Sequence, residues 1–192
     1  MTRFSTAATA LALGVLFSGC NAVMAAAQSP DSPYVAARHG KPQHLATEPM
    51  TITTSKGPVR FTMQVAADEA SREVGLMFVK KMGDREGMIF DFPNAGEQAF
   101  WMHGTHIALD IIYVAPDGRV LSIAKRAKPY DETPLPSRGS SRAVVEINAG
   151  LSDKLGIAPG DKVCEAKIFR CKEREAGGRP RTLASPRPGD GA

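Results

Sequence analysis

The sequence predicts an α+β fold with a compact, mostly antiparallel, barrel-like β core of about seven or eight short strands and one or two short helices. Three observations support this. The 192 residues bound the chain to one modest domain with tails. Short apolar segments alternate and are separated by Gly/Pro turns, and no regular strand–helix–strand alternation appears. With 43% hydrophobic residues, the composition allows a packed core and excludes a coiled coil, a collagen-like chain and a large multidomain enzyme.

The first half of the domain is predicted to form a hairpin, a helix and two further strands. Two alternating segments flank the turn at 55–58 and form the hairpin. Asp68 is typical of a helix N-cap, and the predicted helix covers 69–78. The predicted strands of this half are 50–54, 59–65, 87–92 and 99–102.

The second half contains the clearest hairpin, two strands around the turn at 116–119. No period is visible over 130–141, so this segment is predicted to be a loop. A short helix over 151–155 should end at Gly156. The predicted strands of this half are 109–115, 120–127, 143–147 and 163–169.

Residues 1–27 resemble an export signal, with Arg3 before a short apolar segment at 7–17. Cleavage after Ala27 would leave a soluble mature protein. Alternatively, residues 17–20 (FSGC) resemble a lipobox, in which Cys20 would carry the lipid. We therefore expect an exported protein, either periplasmic or membrane-anchored as a lipoprotein.

Composition divides the rest of the chain into a linker at 28–47, a single globular domain at 48–171 and a tail at 172–192. Residues 28–166 carry 16 basic and 17 acidic side chains, whereas residues from 167 onward carry seven basic and three acidic ones. This Pro/Gly-rich basic end is predicted to be disordered, and could contact a membrane surface. No nucleic-acid partner is expected, because no recognition motif is present.

Cys164 and Cys171 remain as a pair near the end of the domain. In an oxidising compartment two such cysteines predict one disulfide. Two thiols without a nearby histidine or further cysteine make only half a metal site.

Several short segments, in order, resemble the bacterial and archaeal family known as domain of unknown function 192. They are 75–78 (GLMF), 87–90 (GMIF), 100–102 (FWM) with Thr105, 109–113 (LDIIY), 144–147 (VVEI) with 149–150, and 155–157 (LGI) with 160–161. The resemblance covers about residues 49–168. It implies a β-rich α+β domain, often exported, and brings no established activity or catalytic residue. Family members commonly carry Lys-Asn where this chain has His103-Gly104, so chemistry that depends on His103 is not expected.

The candidate ligand-binding residues surround the single tryptophan: Trp101, Met102, His103, Thr105, Asp110 and Glu146. Trp101 is either a core residue or an aromatic platform for a ligand. Asp110 and Glu146 lie inside apolar strands, so each must be paired, hydrogen-bonded or directed into a pocket.

The spacing of His103, His106 and Asp110 invites a metal interpretation. In a strand, however, positions three apart point to opposite faces. No metal, cofactor or catalytic residue is therefore predicted.

The leading functional hypothesis is a non-catalytic binding or accessory module with a shallow site near Trp101, for a small ligand, a glycan or an envelope protein. The alternatives are a small glycoside-type hydrolase that uses Asp110 and Glu146, or a purely structural domain.

Overall fold

Seven strands and two short helices make up residues 40–171, the part of the chain that the structure, a computed structural model, describes. They are β1 (Thr47–Thr54), β2 (Gly57–Ala66), α1 (Glu69–Val74), β3 (Glu86–Phe100), β4 (Leu109–Val114), β5 (Val120–Ala127), β6 (Leu135–Asn148), α2 (Leu151–Leu155) and β7 (Lys162–Glu165). The predicted signal at 1–27, the lipidation candidate Cys20 and the tail at 172–192 lie outside the described residues. Within them, no helix is both long and apolar enough to cross a membrane.

The strands form one curved sheet in the order β5-β4-β6-β3-β2-β1-β7. Neighbouring strands are antiparallel except β2 and β3, which run parallel because the chain crosses between them through α1. The two edges approach each other at one end, where the Val120 N–H donates to the Asp161 carbonyl at 2.8 Å. This half-barrel confirms the predicted α+β fold with a mostly antiparallel, barrel-like core.

The sheet is apolar on both faces, and each face packs its own cluster of side chains. All six residues of β4 are buried, since alternate side chains enter opposite clusters. Ile112 and Val145 belong to the first cluster, whereas Tyr113 and Val144 belong to the second. The face that a residue of β4 or β6 occupies therefore decides which environment its side chain meets.

Helix α1 begins as the sequence predicts but ends earlier. Asp68 is the N-cap, and its Oδ1 accepts from the Ser71 N–H at 2.9 Å. The prediction of a helix to residue 78 is wrong, because Gly75 takes a φ of 50° and ends the helix after Val74. The Gln43 amide donates to the carbonyls of Ser71 and Gly75, so the packed domain extends back into the predicted linker.

Strands β3 and β6 are longer than the sequence predicts. The predicted strands at 87–92 and 99–102 are parts of one strand, β3, which ends at Phe100. Pro93 is tolerated because the pairing with β6 shifts register between Asp91 and Gly96. The predicted loop at 130–141 is wrong from Leu135 onward, where the chain pairs with the end of β3.

The last strand is short and is followed by a disulfide. β7 covers Lys162–Glu165 instead of the predicted 163–169. The strand ends there because the chain turns after Glu165, and Phe169 forms an antiparallel bridge with Glu165. The predicted bond between Cys164 and Cys171 is present, with the two Cα atoms 5.4 Å apart.

Candidate functional site

A cavity of about 260 Å³ opens between helix α1, the end of β3 and the loop that follows it. Its walls are mainly apolar and aromatic, and polar side chains from α1 and the loop stand among them. Its apolar wall includes Val74, Leu76, Phe90, Phe92, Phe100 and Trp101. Such a cavity, apolar with a few polar groups, is typical of small-molecule sites.

Trp101 lies at the mouth of this cavity, directly after the last residue of β3. Its side chain is not in the core: the residue is 54% exposed. The indole lies beside the His103 ring, with the ring centres 5.4 Å apart. His103 Nδ1 in turn lies 2.6 Å from Glu132 Oε1, so this pair holds the imidazole beside the indole. This exposure contradicts the core interpretation of Trp101.

Glu146 forms part of the cavity wall from the sheet side. It lies in β6 between Met88 of β3 and Ile111 of β4, and it is only 4% exposed. Within residues 40–171 its carboxyl group makes no hydrogen bond or ion pair. Burial therefore raises the pKa of Glu146 from 4.5 to about 8. A buried acid without a hydrogen-bond partner is uncommon in folded proteins.

Asp110 is not part of this cavity. It pairs in register with Ile147, whereas Glu146 pairs with Ile111, so the two carboxyl side chains point to opposite faces of the sheet. The Asp110 carboxylate accepts from Arg126 N at 2.8 Å, Ser152 N at 3.0 Å and Ser152 Oγ at 2.6 Å. It thereby connects β4 to β5 and to the start of α2. The structure does not bring the two carboxylates together on one pocket.

Met102 and Thr105 hold the loop after Trp101. Met102 is fully buried in the second cluster, and its N–H donates to the Asp131 carbonyl at 2.8 Å. Thr105 is buried at the cavity wall, and its N–H donates to the Met102 carbonyl at 3.1 Å. Of the six sequence candidates, four therefore line the cavity: Trp101, His103, Thr105 and Glu146.

Helix α1 supplies polar wall residues that the sequence analysis missed: Glu69, Arg72 and Glu73. The Arg72 guanidinium lies over the Phe92 ring at 5.4 Å and donates to the carbonyls of Ala67 and Asp91. Their spacing places all three on one helical face, so the sequence could have shown that they act together. That this face lines the cavity is visible only from the position of α1 beside β3.

The histidines and Asp110 do not form a metal site in this arrangement. Among residues 40–171, no group of three His, Cys, Asp or Glu side chains could hold a metal ion. His106 packs between the rings of Phe78 and Tyr130, with centre distances of 5.9 and 5.3 Å. His103 is engaged with Glu132.

Residues 40–171 thus form a small β-rich domain that contains an aromatic cavity with a buried acid in its wall. The chain belongs to the family DUF192, "Uncharacterized ACR", whose model matches residues 50–164. This confirms the resemblance found in the sequence. None of the curated proteins matches the chain.

Two solved structures share the fold. A protein of unknown function from Novosphingobium aromaticivorans DSM 12444 is 47% identical, with a TM-score of 0.62, over 67% of this chain and 96% of that one. A "putative transcription regulator" from Sinorhizobium meliloti 1021 is 35% identical, also with a TM-score of 0.62, over 64% of this chain and 95% of that one.

Proposed function

We propose that this protein is a non-catalytic binding module of the cell envelope, whose cavity beneath Trp101 takes one small molecule with an apolar body. One observation carries the proposal: the buried Glu146 carboxyl, without a partner in the described residues, forms part of an aromatic cavity. Proteins rarely leave a buried acid unpaired. A ligand that fills the cavity would supply the missing partner.

We propose that the protein is not a catalyst because of how Asp110 and Glu146 are placed. Glycoside chemistry needs two carboxyl groups about 5–9.5 Å apart that flank one bond. Asp110 and Glu146 face opposite sides of the sheet, and the three hydrogen bonds of Asp110 give it a structural role. Asp110 and Glu146 therefore cannot act together on one glycosidic bond, which is what the hydrolase alternative requires.

The envelope location is proposed from the export-like sequence at 1–27 and from the disulfide, since disulfides persist in oxidising compartments. A lipid on Cys20 and membrane contact by the basic tail belong to the same proposal. The near-neutral charge of residues 28–166 gives no support for binding to nucleic-acid phosphates. The size of the cavity favours a small molecule over a glycan chain or a partner protein.

Trp101 is the only tryptophan of the chain, so its fluorescence reports directly on the cavity mouth. We expect a red-shifted emission that acrylamide quenches readily in the purified protein. Benzylamine, benzyl alcohol and benzoate serve as probes of equal shape, and a ligand that enters the cavity should protect the indole from acrylamide. If none of the three probes changes the emission or the acrylamide quenching of Trp101, at concentrations up to their solubility, the proposal is contradicted.

Tyr130→Ala is the matched control for Trp101→Ala. Tyr130 is comparably exposed, at 59%, but does not line the cavity. Trp101→Ala should weaken binding of the probe, measured by calorimetry, while Tyr130→Ala should leave it unchanged. Equal effects of the two substitutions would show that a general surface property, and not the cavity, is responsible.

A further inference from the structure

We infer that the cavity selects a small organic cation, an amine with an aromatic or apolar body, whose ammonium group pairs with the Glu146 carboxylate. This inference rests on the proposed function and names the ligand class of that same site. It is carried by three features of the cavity: its charge, its aromatic walls and its size.

The charged residues that line the cavity are predominantly acidic. Glu69, Glu73 and Glu146 contribute carboxyl groups. Arg72 is the basic wall residue, and it is held against the Phe92 ring and two backbone carbonyls. His103, also in the wall, lies against Glu132. The wall carboxyl groups outnumber the Arg72 guanidinium, so an anionic ligand would on balance be repelled, whereas a cation would be attracted.

Glu146 needs a donor, and an ammonium group is the donor that suits it best. The ionised carboxyl accepts only, and its burial without a partner is costly. An ammonium group offers three donors and no acceptor, and a charge-assisted hydrogen bond is about twice as strong as a neutral one. A neutral alcohol of the same shape could accept a bond from the protonated acid, but would gain no charge pairing.

The aromatic walls suit both ends of such a ligand. The rings of Phe90 and Phe100 are 4.9 Å apart, and those of Phe92 and Phe100 are 6.4 Å apart, in both cases nearly perpendicular. An apolar body would pack against these rings. Aromatic faces also attract cations, tryptophan most strongly, so Trp101 at the mouth favours entry of the charged end.

The size limits the ligand to one ring or a short chain. The cavity holds about 260 Å³, slightly below the ~300–1,000 Å³ of sites for drug-sized ligands. A polyamine chain or an oligosaccharide would extend into solvent. Benzylamine has the required shape and charge and is the probe for the test.

Binding of the amine should release a proton from the protein. Burial raises the pKa of Glu146 to about 8, so the free site is mostly protonated at neutral pH. The ammonium ion keeps its own protons, the Glu146 carboxyl gives up one to the buffer, and the ion pair forms. Because only the ionised fraction is competent, the apparent dissociation constant should fall about tenfold per pH unit between pH 6 and 7.5.

The test is calorimetry of the purified full chain with benzylamine, benzyl alcohol and benzoate at pH 6, 7 and 8. Each titration is repeated in two buffers with different ionisation enthalpies. We expect benzylamine to bind at least about tenfold more tightly than benzyl alcohol at pH 8, benzoate to bind weakest, and close to one proton to be released at pH 6. Equal binding of the amine and the alcohol, or no proton release, would overturn the inference and leave the proposed function standing.

Glu146→Gln is the diagnostic variant, and Glu97→Gln is its matched control. Glu97 lies on the exposed part of β3 and does not line the cavity. Glu146→Gln should abolish the preference for the amine and the pH dependence, but should still bind benzyl alcohol. Glu97→Gln should behave like the parent protein. If none of the three probes binds the parent protein, both the inference and the proposed function fail.

Discussion

Replacing Glu146 by Gln should stabilise the protein at neutral and alkaline pH, against the usual effect of a substitution in a core. Burial raises the pKa of this carboxyl from 4.5 to about 8, so the folded state binds more protons than the unfolded state between these values. The free energy of unfolding therefore falls as pH rises from about 4.5 to about 8, and is level above that. A glutamine does not titrate, so it removes this slope.

The size of the effect follows from the same two pKa values. They differ by about 3.5, and each pKa unit corresponds to about 1.36 kcal/mol. The penalty is therefore about 5 kcal/mol above pH 8 and about 3 kcal/mol at pH 7. Well below pH 4.5 the carboxyl is protonated in both states, and the parent protein and Glu146→Gln should have nearly the same stability.

The assay is urea unfolding at pH 5, 6, 7 and 8, with Glu97→Gln as the exposed control. We expect the curve of Glu146→Gln to separate from that of the parent protein progressively with pH, at an unchanged dependence on urea concentration. The control should follow the parent at every pH. Parallel curves for the parent and Glu146→Gln, or a variant that is less stable throughout, would refute the reasoning that the buried acid is unpaired.

Trp101→Ala should lower the free energy of unfolding by less than about 1 kcal/mol in urea, because the side chain is over half exposed, yet weaken benzylamine binding at least about fivefold by calorimetry. Asp110→Ala should cost about 2–4 kcal/mol of stability through its three hydrogen bonds, while the folded variant binds benzylamine normally; a binding loss would contradict its structural role. Gly87→Ala should lower the melting temperature by about 5–15 °C in circular dichroism, because a Cβ would lie 2.3 Å from a β6 carbonyl oxygen; an unchanged value would disprove the close approach. The double replacement of Cys164 and Cys171 by Ser should cost about 2–3 kcal/mol in urea, and dithiothreitol should then have no further effect.

The sequence predicted most of the strands because their signals are local. The alternating segments and the turn at 116–119 predicted the β4–β5 hairpin, and the N-cap residue Asp68 predicted the start of α1. The joining of the two predicted strands into β3 depends on pairing with β6 across a register shift. Nothing in the Ser-rich segment from Leu135 onward reveals that pairing, because its partner lies about forty residues away in the chain.

The candidate site was predicted in part for the same reason. The loop after Trp101 is local, so Trp101, His103 and Thr105 were found together. Asp110 and Glu146 looked equivalent, since each is an acid inside an apolar strand. Their opposite directions depend on the register of β4 against β6. The contribution of α1 depends on the crossover that places this helix beside β3, which no local pattern encodes.

The pairing of β1 with β7 has a consequence for the order in which the chain can fold. Cys164 of the last strand lies opposite Thr51 of the first, so the outer edge of β1 finds its partner only when the end of the domain is available. An emerging chain would hold β1 and β2 as a hairpin with one open edge until then. Contacts between such distant segments also slow folding. Deletion of residues from 162 onward should therefore leave a sheet edge that pairs with other chains and aggregates during synthesis.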